Sequence, residues 1–270
     1  MASDVALPDG LRAFLFDMDG VLTDTARLHA SAWKRMFDDA LRGIAARDGI
    51  PFVPFDVEAD YHRHVDGKPR YDGVRAFLAS RGITLPEGDV PGWSGTGAAP
   101  ADDPDDPSTW TVRTLGDRKN GYVQELLAAG TVDVYPGSIA FVDAVRAAGL
   151  GTAVVSSSAN AEAILAAAGI RDRFDVVVDG RSLAPRGLRG KPAPDGYLAA
   201  ASDLGEGPGT AVVFEDAIAG VAAGRAGAFR TVVGVDRTGQ AEALRAAGAD
   251  IVVTDLDRLH RPSVPGAPTR

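Results

Sequence analysis

The chain has 270 residues, of which 45% are hydrophobic and 24% are charged, a composition typical of globular proteins. Its net charge of -9 argues against binding to nucleic acids or membrane surfaces, and the absence of cysteine excludes disulfides, thiol catalysis and cysteine-ligated metals. No apolar run approaches the roughly 18 residues of a membrane-spanning helix, and no signal peptide is recognisable. We therefore expect a soluble, cytoplasmic protein.

The first predicted element is a short buried strand at 11–16, LRAFLF, which leads into the acidic sequence DMDGVLTDT. Apolar residues then recur at nearly four-residue spacing and predict a helix from about 25 to 48. Further helical segments, broken by Pro and Gly, are predicted within 51–85. Residues 86–110 are rich in Pro, Gly and Asp and predict a long surface loop, after which a helix resumes at about 120–129.

In the second half of the chain, short apolar runs alternate with alanine-rich helical segments. The predicted strands are 152–155, 175–178, 211–214, 231–235 and 251–253. The predicted helices are near 138–148, 159–168, 194–204, 217–227 and 240–247. This alternation predicts βαβ units and an α/β fold whose parallel sheet is covered on both faces.

The first strand is separated from the other predicted strands by a long, mostly helical stretch. We therefore predict a doubly wound, Rossmann-like core domain formed by 1–24 and 133–258. An α-helical cap domain, 25–132, is inserted after the first strand and contains the 86–110 loop insertion. Residues 259–270 are predicted to be a disordered tail.

Polar side chains follow several of the predicted strands, at the ends where doubly wound sheets bind ligands. They are Asp17, Asp19, Ser156, Ser157, Ser158, Asn160, Glu215 and Asp216, with Lys191 before a proline-led helix. Carboxylates gathered at one place repel each other unless a cation lies among them, and oxygen ligands suit Mg²⁺. A lysine and hydroxyl groups beside Mg²⁺ are suited to a phosphoryl group, whose charge needs several donors.

Each of these residues also has a structural explanation. An Asp-x-Asp-Gly sequence is often a turn, Ser158 can cap the following helix, and the lysine can be a solvated loop residue. Glu215 and Asp216 can be acids that favour a helix N-terminus. All these polar residues are predicted to lie at one edge of the sheet, which favours a common binding site over separate structural roles. His62 and His64 have no third ligand in view and are interpreted as surface residues.

Four segments occur in the order of the motifs of the haloacid dehalogenase superfamily, which the predicted core resembles. They are DMDGVLTDT, the strand that ends in Ser156, GKPAPD around Lys191, and FEDAIAGV. The chain also resembles the β-phosphoglucomutase-like family, whose cap has segments similar to TDTARLHASAWK, VDGKPRYDGV and GDRKNGYVQELL. It departs from that family at Ala159, where a basic residue is expected, and in the 86–110 insertion.

This resemblance implies Mg²⁺-dependent phosphoryl transfer through an aspartyl phosphate, with Asp17 as the nucleophile and Asp19 as the general acid/base. The implied metal ligands are Asp17, the backbone carbonyl of Asp19, Glu215 and Asp216. The implied phosphate ligands are Ser156, Ser157, Asn160 and Lys191. The implied substrate-binding residues in or near the cap are Thr25, His29, Trp33, Arg70, Lys119 and Asn120.

The resemblance leaves three activities open. The first is a mutase that converts β-glucose 1-phosphate into glucose 6-phosphate, with β-glucose 1,6-bisphosphate as activator and Arg70 on the distal phosphate. The second is a capped phosphatase acting on a sugar phosphate. The third is a non-catalytic sugar-phosphate-binding protein, against which the presence of both Asp17 and Asp19 counts. We expect a monomer that binds a small phosphosugar and neither nucleic acid nor membrane.

Overall fold

The chain divides into two compact units, each described below by itself. The structure, a computed structural model, describes residues 5–88, 106–129, 132–183 and 185–260. The core unit comprises Met1–Ala26, Gly67–Pro69 and Thr131–Arg270. The cap unit comprises Arg27–Asp66 and Arg70–Gly130. None of the helices in the described ranges combines the length and the apolar character that crossing a membrane requires.

The described residues form strands and helices close to those predicted. The strands are β1 (Ala13–Phe16), β2 (Gly151–Val155), β3 (Val176–Val178), β4 (Ala211–Glu215), β5 (Thr231–Val235) and β6 (Ile251–Val253). The helices are α1 (Ala26–Asp48), α2 (Arg70–Ser80), α3 (Val112–Ala129), α4 (Pro136–Ala147), α5 (Ala161–Ala167), α6 (Gly180–Leu183), α7 (Asp195–Asp203), α8 (Ile218–Ala226) and α9 (Ala241–Ala247). A short π-helix spans Tyr61–Val65.

The core unit contains a parallel sheet with the strand order β3-β2-β1-β4-β5-β6, so the predicted doubly wound α/β fold is confirmed. β1 lies between β2 and β4, with Phe16 opposite both Val154 and Phe214. The chain runs outward from β1 to β3 and then returns to the other side of β1 at β4. The switch point of the topology therefore lies between β1 and β4, and their carboxyl ends flank the crevice where such sheets bind ligands.

Apolar side chains cover both faces of the central strands. Phe16 stacks on Phe214 with ring centroids 4.6 Å apart, and Phe141 of α4 packs edge-on against Phe214 at 5.5 Å. On the opposite face, Leu15 belongs to a buried cluster that includes Tyr197 of α7. A strand buried on both faces must be apolar throughout, which is why AFLF, the sequence of β1, contains no polar residue. Burial of each such side chain contributes about 1.5–3 kcal/mol.

The cap unit packs its helices around aromatic rings. Phe37 of α1 lies 4.2 Å from Phe77 of α2 and 5.1 Å from Phe55, measured between ring centroids. α1 has a glycine, Gly43, where a Cβ would lie 2.4 Å from the ring of Trp110. Trp110 is 3% exposed, so this end of the predicted surface loop is in fact buried.

Several boundaries differ from the predicted ones, among them the start of the cap unit, which begins at Arg27 rather than at residue 25. α3 begins at Val112 rather than near residue 120, because Val112 is buried with Trp110 in the cap. Residues 67–69, predicted to lie in the cap domain, group with the core unit. The prediction of disorder is wrong for Leu259, which is buried and pairs with Val5. Residues 89–105 of the predicted loop and 261–270 of the predicted tail lie outside the described residues.

Candidate active site

The acidic turn after β1 lies at the topological switch point of the core unit. The backbone N–H of Asp17 donates to the carbonyl of Phe214 at 2.9 Å, which extends the β1–β4 pairing by one residue. Gly20 has a φ of +82°, and a Cβ there would lie 1.8 Å from Asp216 Oδ2. Only glycine combines this backbone conformation with the missing side chain. The turn is therefore shaped to accept the Asp216 carboxylate.

Two buried threonines orient the carboxylate of Asp19. The hydroxyl of Thr25 donates to Asp19 Oδ1. Thr23 Oγ1 lies 2.9 Å from Thr25 Oγ1, within hydrogen-bond distance. Thr25, predicted to belong to the cap domain, thus lies in the core unit beside the predicted general acid/base. Because Oδ1 of Asp19 is held by this hydrogen bond, the orientation of its second oxygen is also fixed. A group that transfers a proton needs such a fixed orientation.

Asp17, Glu215 and Asp216 form an acidic cluster in which one carboxylate oxygen from each residue lies within 4.8 Å of the other two. Burial raises the pKa of Asp17 well above its ordinary value, and the charges of Glu215 and Asp19 act in the same direction. Lys191 opposes this increase. Three oxygen ligands with excess negative charge are the donor set of a hard divalent cation, so these residues fit Mg²⁺.

Glu215 is fully buried and is held by its surroundings. Its Oε1 accepts a hydrogen bond from the hydroxyl of Tyr197 at 2.9 Å, and its Oε2 accepts one from the N–H of Ala217 at 3.0 Å. A Cβ on Gly220 of α8 would lie 1.6 Å from Glu215 Oε1, so this position must be glycine. Gly220 belongs to the FEDAIAGV segment, whereas nothing in the sequence marks Tyr197 as part of the site.

Lys191 is buried against the acidic cluster and is not a solvated loop residue. Its Nζ hydrogen-bonds to Asp17 Oδ1, lies 2.6 Å from Glu215 Oε1 and donates to the carbonyl of Val155 at 3.0 Å. Burial alone lowers the pKa of Lys191, but the charges of Asp17 and Glu215 outweigh burial and raise it. Lys191 is therefore a permanent cation at the carboxyl ends of β1 and β2.

The loop after β2 carries the predicted phosphate ligands Ser156 and Asn160, both buried. The N–H of Ser158 donates to Ser156 Oγ at 3.1 Å, and the N–H of Asn160 donates to Ser158 Oγ at 3.2 Å. Ser158 therefore bonds to the residue that precedes α5 and does not cap the first turn of that helix. These two contacts fold the loop into consecutive tight turns.

Ser157 contacts a different part of the core unit. Its hydroxyl donates to the carbonyl of Gly67 at 2.9 Å, and a Cβ on Gly190 would lie 2.0 Å from the ring of Pro69. The loop after β2 and the residue before Lys191 thus hold the segment Gly67–Pro69. Ser156, Ser157 and Lys191 also line one small cavity of about 10 Å³. The structure brings Ser156 and Lys191, far apart in the sequence, to one place, and their role as phosphate ligands stays a prediction.

Within the cap unit, His29, Trp33 and Lys119 are adjacent. Lys119 Nζ lies 3.0 Å from His29 Nδ1 and 5.0 Å from the centroid of the Trp33 ring. His29 and Lys119 are buried, and Asn120 is partly buried beside them on α3. The contact between α1 and α3 therefore joins the residues predicted from TDTARLHASAWK and GDRKNGYVQELL.

Arg70 begins α2 and is held in the cap unit by two residues that the sequence did not indicate. Its Nη2 lies 3.2 Å from Asp117 Oδ1 and 3.1 Å from the hydroxyl of Tyr71.

His62 pairs with Asp66, with His62 Nδ1 3.0 Å from Asp66 Oδ2, and belongs to no metal-binding group among the described residues.

Comparison with known proteins places this geometry in context. The sequence model of the haloacid dehalogenase-like hydrolases matches residues 11–227. A β-phosphoglucomutase of Mycobacterium tuberculosis is 54% identical over 260 residues, 94% of each chain. A validoxylamine A 7'-phosphate phosphatase of Streptomyces hygroscopicus subsp. limoneus is 31% identical over 93% of this chain and 96% of its own. The crystal structure of a β-phosphoglucomutase from Clostridium difficile matches with a TM-score of 0.68 and 26% identity, covering 93% of both chains.

Proposed function

Because the chain belongs to the haloacid dehalogenase-like hydrolase family, we propose that it is a β-phosphoglucomutase. This enzyme converts β-D-glucose 1-phosphate into D-glucose 6-phosphate through β-glucose 1,6-bisphosphate. The observation that carries the choice is the likeness to the mycobacterial β-phosphoglucomutase along nearly the whole of both chains. The buried acids and the lysine at the switch point supply the groups that phosphoryl transfer requires.

Asp17 is the nucleophile in this proposal. One of its carboxylate oxygens attacks a phosphorus atom of the bisphosphate and forms an aspartyl phosphate, while the bond from that phosphorus to the sugar oxygen breaks. Asp19 gives a proton to the departing sugar oxygen. In the second half-reaction a free hydroxyl of the sugar monophosphate attacks the phosphorus of the aspartyl phosphate, and the bond from that phosphorus to the Asp17 oxygen breaks. Asp19 takes the proton of that hydroxyl. No other reactant is consumed.

Asp17, Glu215, Asp216 and the backbone carbonyl of Asp19 would hold Mg²⁺. When bound, the ion offsets the repulsion between the Asp17 carboxylate and the phosphoryl oxygens. Tyr197 and the N–H of Ala217 keep Glu215 oriented before any ligand arrives.

Ser156, Asn160 and Lys191 bind the oxygens of the transferring phosphoryl group. The buried lysine is adjacent to Asp17, so its charge lies where negative charge develops. The hydroxyl of Ser157 already donates to Gly67, so Ser157 contributes its backbone N–H. These donors are held in fixed positions around the transferring phosphoryl group. Positioning and electrostatic stabilisation of that group are the main sources of catalysis in phosphoryl transfer.

The residues of the cap unit bind the rest of the ligand. Arg70 binds the second phosphate through a charge-assisted hydrogen bond, which suits a bisphosphate that must be held at both ends. His29, Trp33, Lys119 and Asn120 bind the sugar and favour the exclusion of water from the aspartyl phosphate. Thr25 orients Asp19 through its hydroxyl.

A phosphorus NMR time course tests the proposal directly. The protein is incubated with β-glucose 1-phosphate, Mg²⁺ and a trace of β-glucose 1,6-bisphosphate. We expect the glucose 6-phosphate signal to grow with little free phosphate. Asp17→Asn should abolish turnover, and substantial residual activity would overturn its role as nucleophile. Asp19→Ala should block transfer to the sugar hydroxyl while Mg²⁺ still binds.

A sugar-phosphate phosphatase is the second candidate. It is favoured by the likeness to the validoxylamine A 7'-phosphate phosphatase and by Ala159, which replaces an expected basic residue. The core residues act identically, but water attacks the aspartyl phosphate. Free phosphate as the main product of the same time course would support this candidate and contradict the mutase.

A further inference from the structure

The cap unit holds the guanidinium of Arg70 by a closed set of three contacts. Arg70 Nη2 lies 3.2 Å from Asp117 Oδ1 and donates to the hydroxyl of Tyr71 at 3.1 Å. That hydroxyl donates in turn to Asp117 Oδ1 at 2.7 Å. Each side chain contacts the other two, so movement of any one of them breaks two contacts. A single exposed ion pair would restrain the arginine far less.

The local sequence of α3 makes room for this arrangement. A Cβ on Gly116 would lie 2.6 Å from Tyr71 Cδ1 and 3.4 Å from Arg70 Cγ. Burial raises the pKa of the Tyr71 phenol; Arg70 lowers it and Asp117 raises it further. The phenol therefore keeps its proton at neutral pH and remains a donor to Asp117.

The contacts with Asp117 and Tyr71 engage Nη2 of the Arg70 guanidinium and not Nε. Nε is buried and has no hydrogen-bond partner among the described residues. A buried donor without an acceptor is unfavourable, and a phosphate oxygen is a strong acceptor for a guanidinium N–H.

We propose that Tyr71 and Asp117 are positioning residues for the distal phosphate of the sugar bisphosphate, an inference that rests on the proposed function. They hold Arg70 through Nη2, and neither of them bonds to Nε, which a phosphate oxygen can accept from. An arginine that is ordered before binding loses less rotamer freedom when the phosphate arrives. The transferring phosphate is bound by the core unit, so its affinity does not depend on either residue.

The test measures binding without turnover, in the full-length chain that carries Asp17→Asn. Calorimetry in Mg²⁺ gives the Kd of β-glucose 1,6-bisphosphate and of phenyl phosphate, a ligand with one phosphate. Adding Tyr71→Phe removes a hydroxyl without changing charge. We expect the Kd of the bisphosphate to rise about threefold to tenfold and that of phenyl phosphate to stay unchanged. Asp117→Asn, whose amide oxygen can still accept both hydrogen bonds, should keep most of the affinity.

Tyr122→Phe is the matched control, because the cap unit contains a second group of the same composition. The hydroxyl of Tyr122 donates to Asp39 Oδ2 at 3.3 Å, and the Arg35 guanidinium lies 3.7 Å from the centroid of its ring. Loss of this hydroxyl should leave the affinities for both ligands unchanged.

Arg70→Ala separates failure of the inference from failure of the proposed function. If Arg70→Ala weakens binding of the bisphosphate but Tyr71→Phe does not, the positioning role is wrong and the mutase proposal stands. Equal losses for both ligands in Tyr71→Phe would also overturn the positioning role. If Arg70→Ala has no effect, or the bisphosphate does not bind, the proposed function fails and the inference fails with it.

Discussion

At the residue scale, two small groups position the acids at the end of β1. Gly20 leaves space for Asp216, and the hydroxyl of Thr25 orients Asp19. Each of them determines where a carboxylate of the proposed site lies. Substitution of Gly20 or Thr25 therefore tests the placement of the acids without removing any of them.

Gly20→Ala should inactivate the enzyme, because the added Cβ would lie 1.8 Å from Asp216 Oδ2 and must displace it. Displacement of a catalytic group by about 1 Å can reduce the rate 100-fold. We expect a loss of at least about that size in kcat/KM, with weaker Mg²⁺ binding in a titration. Gly10→Ala is the control, since Gly10 has a φ of +83° but nothing within 4 Å of a Cβ. It should lower the melting temperature and leave kcat/KM intact; equal kinetic losses would contradict the explanation.

Thr25→Val should lower kcat about tenfold with little change in KM, because Asp19 keeps its carboxylate but loses its orienting donor. Thr25→Ser retains the hydroxyl and should restore most of the rate. Steady-state kinetics with the sugar phosphate provide the measurement. A Val variant as fast as the Ser variant would show that the hydroxyl has no role in orienting Asp19.

At the element scale, the π-helix Tyr61–Val65 ends beside an ion pair that depends on pH. His62 Nδ1 lies 3.0 Å from Asp66 Oδ2. This hydrogen bond raises the pKa of His62, burial opposes the increase, and the charges of Asp66 and Glu58 add to it. The folded state therefore favours the protonated imidazole. Its contribution to stability is complete below the unfolded pKa of about 6.5 and is lost as the pH rises through the higher folded pKa.

His62→Gln should therefore destabilise the protein at pH 5.5 and have almost no effect at pH 9. The loss at low pH should stay below about 1 kcal/mol, because the His62 side chain is 37% exposed and its charge is screened. Urea unfolding at both pH values provides the measurement. In an Asp66→Asn background the same substitution should lose its pH dependence, and an unchanged dependence there would disprove the pairing.

The sequence predicts those elements whose burial is continuous along the chain. β1 to β6 are apolar runs because helices cover both faces of the sheet, so each strand is visible locally. The start of α3 is not visible, because Gly116 and charged residues interrupt the apolar spacing of Val112 and Leu115. The sequence does not indicate the burial of Leu259 either, because its partner Val5 lies at the other end of the chain.

Prediction of the candidate site from the sequence is limited in the same way, to residues whose position follows from the chain order of the strands. Asp17, Glu215 and Lys191 could be predicted because parallel strands end at one edge of the sheet, which brings distant residues together. Tyr71, Asp117 and Tyr197 could not, because their roles depend on contacts between helices that no sequence spacing encodes.

At the scale of the whole molecule, the acids of the core unit come from chain segments separated by most of the sequence. Asp17 follows β1, whereas Glu215 and Asp216 come at the end of β4 and directly after it. A cation held between them would link these segments only in the folded state. Binding of Mg²⁺ should therefore stabilise the fold as a whole.

We expect Mg²⁺ at about 100 times its Kd to raise the melting temperature by roughly 5–10 °C. Asp216→Asn should remove most of this increase, because it takes away one of the three clustered carboxylates. Glu242→Gln removes the same charge from an exposed position in the first turn of α9 and should leave the increase intact. Differential scanning fluorimetry across a Mg²⁺ series provides the measurement. Equal increases in both variants would place the ion elsewhere.

The buried Lys191 gives the core an internal counter-ion. Its Nζ lies between Asp17 and Glu215, so part of their mutual repulsion is neutralised by the chain itself. The sheet can therefore bring these carboxylates together without relying on a bound cation for all of the charge compensation. Magnesium binding would then add stability to a fold that already holds part of its own counter-charge.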